Sequence, residues 1–164
     1  MQIPTSRTEL FKSLFKSPLA TSAMLWARLP LAAFAGLRVS RLDATGADVK
    51  LPAGWKTQNP FRSTYFAAQA MAAEMSTGAP ALLFIEESGK RISSFVVGLQ
   101  AKFTKQAKSE ATFTFSDGAA MLKAIEKAAA SGEGVPFAAR SVGRMADGTV
   151  VAEFEIQWSF KRKN

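Results

Sequence analysis

Residues 63–77 read Ser-Thr-Tyr-Phe-Ala-Ala-Gln-Ala-Met-Ala-Ala-Glu-Met-Ser-Thr, and the reading of this stretch decides the fold. Ala and Met favour a helix. Ser63 is placed to cap its start, and Gly78 and Pro80 are placed to stop its end. Within the helix only Gln69 and Glu74 are strongly polar. A helix apolar nearly all round is a buried helix. Its small side chains let a sheet approach closely on several sides.

The flanking sequence supplies that sheet. Residues 37–43 predict a strand with imperfect alternation. Ala47, Val49 and Leu51 alternate with Asp48 and Lys50, and Pro52-Ala53-Gly54 ends that strand. Residues 55–62 predict a loop. Beyond the helix, Ala81-Leu82-Leu83-Phe84-Ile85 is a continuous apolar run and predicts a strand buried on both faces. Phe95, Val97, Leu99, Ala101 and Phe103 share one face of a long strand, and Ala111, Phe113 and Phe115 share one face of the next. Residues 117–130 predict a second helix with Met121, Leu122, Ile125 and Ala129 on one side. Residues 137–145 and 149–160 predict a hairpin about Asp147-Gly148. In its second strand Val150, Ala152, Phe154, Ile156, Trp158 and Phe160 share a face. The expected class is α+β: a curled antiparallel sheet wrapped around a central buried helix, with the second helix covering an edge or an end.

The residue types limit the chemistry. The 164 residues suit one domain with a real core. There is no cysteine, which excludes a disulfide framework, a thiolate nucleophile and Cys-based metal sites. There is no histidine either, so Ser-His-Asp and Cys-His machinery and a His-based dehydratase are excluded. Acid–base work in such a chain falls on Asp, Glu, Tyr or Lys. No metal site is expected. A net charge of +8 suggests an anionic partner. The basic residues are spread out, apart from Lys161-Arg162-Lys163, which reads as a solvated tail. No recognition helix or exposed aromatic–basic motif points to nucleic acid, and the Phe residues fall on core faces. Arg28 and Pro30 interrupt the apolar stretch near the start, so neither a secretory leader nor a stable membrane insertion is expected, and the expected location is cytoplasmic. Residues 1–18 read as a helical extension, with one helix over 8–15 and a second over 19–29. Residues 19–164 read as a single domain.

Glu74 is the residue that carries chemical content. Three and four positions back stand Met71 and Ala70, and a turn further Ala67 and Phe66. Two placements are open. Either Glu74 reaches solvent from the last turn of the helix, or it is buried among apolar side chains with its pKa raised toward the working range of a general base. The first N–H groups of the helix, near Tyr65 and Phe66, lack internal partners and suit a developing oxyanion. Glu74 lies about two and a half turns beyond them. A substrate carbonyl beside the helix start of one protomer would therefore meet the acid of another, which points to a dimer.

An Asn in the loop before a central helix, followed fifteen positions later by an acid on that helix, resembles the phenylacetic-acid-type hotdog acyl-CoA thioesterases. Here the pair is Asn59 and Glu74. Together with Leu29-Pro30, Phe34-Ala35-Gly36, Leu51-Pro52 and Asp147-Gly148-Thr149-Val150-Val151-Ala152, it resembles the branch called tetrameric acyl-CoA thioesterase, over roughly residues 19–162. The resemblance implies a hotdog fold and thioester hydrolysis, with no cofactor beyond the coenzyme A moiety of the substrate. It implies Glu74 as general base or nucleophile, Asn59 orienting the water or the carbonyl, and the Phe66 N–H polarising the thioester oxygen. The site would sit in a homodimer or a dimer of dimers. Where better-known members carry His-Gly-Gly this chain has Tyr65-Phe66-Ala67. Tyr65 would then replace the His as donor, while Phe66 sets a large ring where glycine permits close approach. Coenzyme A needs cations, and Arg62, Lys102, Lys105 and Lys108 are the expected ones. The alternative function is a non-catalytic acyl-CoA or lipid-binding protein.

Overall fold

A helix of 23 residues, Phe66–Ser88, runs through the middle of the molecule. This computed structural model describes residues 17–163, so the helix expected over residues 8–15 lies outside the described residues. In chain order the elements are α1 (Pro18–Arg28), α2 (Pro30–Ala35), β1 (Arg38–Asp43), β2 (Gly46–Leu51), the central α3 (Phe66–Ser88), β3 (Ile92–Phe103), β4 (Ala111–Phe115), α4 (Gly118–Ser131), β5 (Val135–Met145) and β6 (Val150–Arg162). Among the described residues six strands form one sheet in the order β1-β2-β4-β5-β6-β3. Every neighbouring pair is antiparallel. The sheet curls about α3 in the hotdog arrangement.

The central helix differs from its sequence reading. Gly78 and Pro80 do not stop it, and Ala81-Leu82-Leu83-Phe84-Ile85 is its last third rather than a strand. Proline inside a helix removes one hydrogen bond and crowds the preceding turn. Burial outweighs that cost here, because Ala81, Leu83, Phe84 and Ile85 are all buried while Leu82 faces outward. That is a helical pattern, not a two-sided strand. The helix ends where Gly89 takes a left-handed conformation (φ 62°), and its N–H donates to Glu86 O.

Small residues set how closely the sheet can approach. Ala72 and Ala73 are completely buried under it. Around them lie Val49 and Leu51 of β2, Phe113 and Phe115 of β4, and Phe154, Ile156 and Phe160 of β6. Ser76 is also fully buried. Its hydroxyl donates to Ala73 O (2.7 Å) and pairs with Ser141 Oγ of β5 (2.8 Å). Helix α4 packs against α3, β5 and β6 and so covers one end.

The long strand β3 departs from the single alternation expected of it. It pairs with β6 on one side only. A bulge lies between Val96 and Gly98. Opposed residues of an antiparallel pair share a face, and an extra residue exchanges the faces beyond it. Val96 therefore faces the helix side with Trp158, as do Leu99 with Ile156 and Phe103 with Ala152. Phe95 sits opposite Ser159, on the outer face. None of these side chains is in the core: Phe95 is 59% exposed, Leu99 48% and Phe103 47%.

Candidate functional site

Along α3 the incompletely buried positions Ala67, Ala70, Met71, Glu74, Gly78 and Leu82 recur at helical spacing. They form the side of the helix that the sheet leaves open. At the start of the helix the β3 edge comes close to it, where Phe103 meets the Phe66 ring at 6.4 Å. The surface is apolar apart from one carboxylate.

That carboxylate is Glu74, half-buried on the stripe. No hydrogen bond or ion pair reaches it from any described residue. Burial alone pushes its pKa above the ordinary value. Asp43, in the β1–β2 turn, behaves oppositely. The Thr45 hydroxyl and Arg41 hold its carboxyl down at about 2.

Asn59 organises the loop that delivers the chain to the helix. Its side-chain oxygen accepts from Phe61 N–H (3.0 Å), Ser63 N–H (3.2 Å) and Ser63 Oγ (3.3 Å). Its backbone N–H donates to Ser63 O (2.9 Å) and its C=O accepts from Arg62 N–H (3.0 Å). This closed turn carries Arg62 at φ 59°, a left-handed conformation that is costly for a side-chain-bearing residue. The Asn59 amide nitrogen is what remains for a ligand.

Two further bonds fix the helix start. Thr64 N–H donates to Ala107 O (2.7 Å) and Tyr65 N–H to Thr57 O (2.7 Å). Tyr65 is the N-cap but gives no side-chain cap bond. The Tyr65 and Phe66 rings meet edge to face at 4.8 Å, and Phe66 meets Phe103 at 6.4 Å. Gln69, buried one turn in, donates to Thr64 O (3.2 Å), and its own side-chain oxygen has no partner among the described residues.

The expected cations divide. Lys105 and Lys108 lie in the loop whose Ala107 bonds Thr64, so this loop, Arg62, Tyr65 and Phe66 gather around the start of α3. Lys102 does not join them. It opposes Glu153, which pairs with Arg140 (2.7 Å) on the outer face of the sheet. Within one chain the structure keeps Glu74 apart from the helix start, roughly 12 Å along the axis at helical rise. Among the described residues no cluster of acids has metal-holding geometry, and no helix is long and apolar enough to cross a membrane.

Sequence reasoning missed Gly78, Thr77 and Trp158. Trp158 Nε1–H donates to Thr77 Oγ1 (3.0 Å), and Thr77 Oγ1–H donates to Glu74 O (2.9 Å). A side chain on Gly78 would begin 3.1 Å from Glu74 Oε1 and 3.4 Å from Trp158 Cη2. The signal was a glycine one turn after the only acid of the stripe, which was read as a helix stop.

A family model described as Domain of unknown function (DUF4442) matches residues 18–160. The chain belongs to this family. Among curated proteins none matches. Solved structures do. A protein from Pseudomonas aeruginosa named "Probable Thioesterase" is 21% identical, with 99% of each chain covered and a TM-score of 0.70. A protein of unknown function from Chlorobaculum tepidum is 12% identical over 96% of this chain and 98% of its own, with a TM-score of 0.76. A thioesterase from Haemophilus influenzae is 10% identical over 89% and 91%, with a TM-score of 0.63. At these identities the likeness establishes the hotdog fold, which this DUF4442 member shares with structures named thioesterases.

Proposed function

We propose that this DUF4442 protein hydrolyses an acyl thioester of coenzyme A or of an acyl carrier, with Glu74 as general base or nucleophile. The observation that carries the proposal is the lone, unpartnered carboxylate on an otherwise apolar open stripe. A carboxylate so placed is a stronger base than one in water. As base, Glu74 takes a proton from water as the oxygen attacks the thioester carbonyl carbon. The C–S bond then breaks, and the proton leaves with the thiolate as a free thiol. As nucleophile, the Glu74 carboxylate attacks the thioester carbonyl and the C–S bond breaks, so that the thiolate leaves and takes a proton from water. Water then opens the resulting acyl anhydride to the free acid and Glu74.

The other roles follow from where the groups lie. The N–H groups of Phe66 and Ala67 have no partner among the described residues and suit a developing oxyanion. The Asn59 amide N–H and the Tyr65 hydroxyl are further donors at that end. Arg62, Lys105 and Lys108 provide positive charge there for the phosphates of coenzyme A. Lys102, on the outer face of the sheet opposite Glu153, is not among them. Because one chain separates Glu74 from the helix start, two copies would complete the site by meeting along the β3 edge. Its unpaired backbone and the exposed Val96, Leu99 and Phe103 suit such an interface. A homodimer or a dimer of dimers follows, with no nucleic-acid partner and no resident cofactor.

Thiol release from a panel of acyl-CoAs tests this reading. The chain has no thiol of its own, so the background is clean. Turnover by the wild type that Glu74→Gln removes, with the fold intact, supports hydrolysis. Acyl-CoA binding without turnover supports the binding-protein alternative. Neither turnover nor binding overturns both.

A further inference from the structure

Trp158 is the largest side chain beside Glu74, and nothing in the reaction above uses it. It comes from β6, on the helix face of the sheet, and is only 6% exposed. Its orientation is fixed at three points. The indole N–H is spent on Thr77 Oγ1 (3.0 Å). The ring stacks on Phe160 at 6.2 Å with planes 2° apart. Its far edge, Cη2 and Cζ2, lies 3.4 and 3.5 Å from where a Gly78 side chain would begin, the same point that lies 3.1 Å from Glu74 Oε1. The Glu74 carboxylate and the carbon edge of the indole thus border the same space above Gly78.

The Thr77 hydroxyl joins the two residues by a second route. It accepts from Trp158 and donates to the Glu74 carbonyl, so the ring is registered on the turn of α3 that carries the acid. A carbon edge offers a carboxylate no hydrogen bond, so it does nothing to offset hydration lost on that side. We propose that Trp158, registered by Thr77 and admitted by Gly78, is a positioning residue. It walls one side of the Glu74 carboxylate and sets the pH at which that acid ionises. This inference rests on the reading of Glu74 as the reacting acid.

Among the described residues no other charge on the helix face lies beside Glu74. The residues of β6 on the helix face are Phe154, Ile156, Trp158 and Phe160, and those of β5 are Val135, Phe137, Ala139 and Ser141. The β3 residues on that face are Ser94, Val96, Leu99, Ala101 and Phe103. The buried residues of β2, β4 and α4 that pack on the helix are uncharged. Lys102, Glu153, Glu155 and Lys161 belong to the opposite face of the sheet. Arg162 is on the helix side but donates to Ala129 O (2.8 Å), at the α4 end. The nearest acids on α3 are Glu86 and Glu87, three turns beyond Glu74.

The test reads the tryptophan directly. In a Trp26→Phe, Trp55→Phe background Trp158 is the only indole. Its fluorescence should follow a single titration with a midpoint above the ordinary glutamate range near 4.3, and Glu74→Gln should abolish that titration. Emission that stays flat between pH 4 and 9, or a titration that survives Glu74→Gln, overturns the proposal. The rate of thioester hydrolysis gives the second readout. Trp158→Phe should lower kcat about tenfold with KM within twofold, and should move the acid limb of the pH profile toward lower pH. An unmoved acid limb overturns the proposal. If Trp158→Phe fails to fold, the wild-type titration still decides. The two hypotheses fail separately. A clear Trp158–Glu74 titration without turnover sinks hydrolysis and leaves the coupling. Turnover lost in Glu74→Gln with flat Trp158 emission does the reverse.

Discussion

Ser76 and Glu74 stand two residues apart on α3 and face opposite sides of it. Ser76 is fully enclosed, and its hydroxyl serves Ala73 O and Ser141. Glu74 is half-buried, and its carboxylate serves nothing among the described residues. The first side is enclosed: Ala72, Ala73, Ser76 and Phe84 lie against the sheet and the Ser76 hydroxyl is paired, although the Gln69 side-chain oxygen, a turn or two back, has no partner among the described residues. The second leaves apolar stripe, apolar strand edge and a bare acid facing outward. A fold pairs its buried polar groups where structure is the aim. An unpaired acid on an open apolar surface is the feature on which the proposed site and the proposed interface rest.

Breaking the open side should show first in chemistry. Glu74→Gln is expected to lower thioester turnover ~10²–10⁴-fold, the range typical of a lost general base. A variant retaining a third of the wild-type rate would remove Glu74 from the reaction. On the closed side the largest effect is on stability. Phe84→Ala should cost about 3–5 kcal/mol in denaturant melts, because the ring is 1% exposed. Leu82→Ala, two residues away and 41% exposed, should cost less than about 1 kcal/mol in the isolated chain. Equal losses would mean that the two sides are equally enclosed.

The strand edge provides the next test. Leu99→Lys places a charge in the apolar edge, and light scattering should show monomers where the wild type shows dimers or larger assemblies. A monomeric wild type would end the shared-site scheme. Smaller effects separate a paired polar group from an unpaired one. Ser141→Ala removes one partner of Ser76, which keeps Ala73 O, so a loss of ~1 kcal/mol is expected. Glu74→Gln should instead stabilise the fold at neutral pH, by up to about 1 kcal/mol or ~2–4 °C in Tm. The sign follows from linkage. A carboxyl whose pKa is raised by folding binds its proton more tightly in the folded state. Its presence therefore lowers stability as pH rises from the unfolded pKa through the folded one. The gain should vanish near pH 4, and a gain of the same size there would show a different cause.

Part of this contrast was legible from residue order. Glu74 stood out because its neighbours at three and four positions are apolar, and the chain offers no His or Cys to do its work. The residues of β2 and β4, and of β6 from Ala152 onward, declared their inner faces by strict alternation and keep those faces in the structure, while Val150 lies beyond a register shift, opposite Arg144, and Val151 is buried in its place. Two stretches misled. At Gly78 and Pro80 local propensity argues for a stop, but burial of Leu83, Phe84 and Ile85 carries the helix through. At β3 the alternation was real, but one bulged residue exchanges the faces within the strand, and residue order does not mark a bulge. Asn59 was found by its spacing, yet spacing does not show that its own loop consumes its side-chain oxygen.

The sequence by itself determined the class of fold, the central helix and the acid set among apolar neighbours on it. Those depend on periodicity and on residue types, which are local properties. The tertiary structure alone decided how far the helix runs, which face of β3 looks toward it, and that Trp158 lies beside Glu74. These depend on which side chains meet across the molecule, and packing between distant segments sets that against local preference.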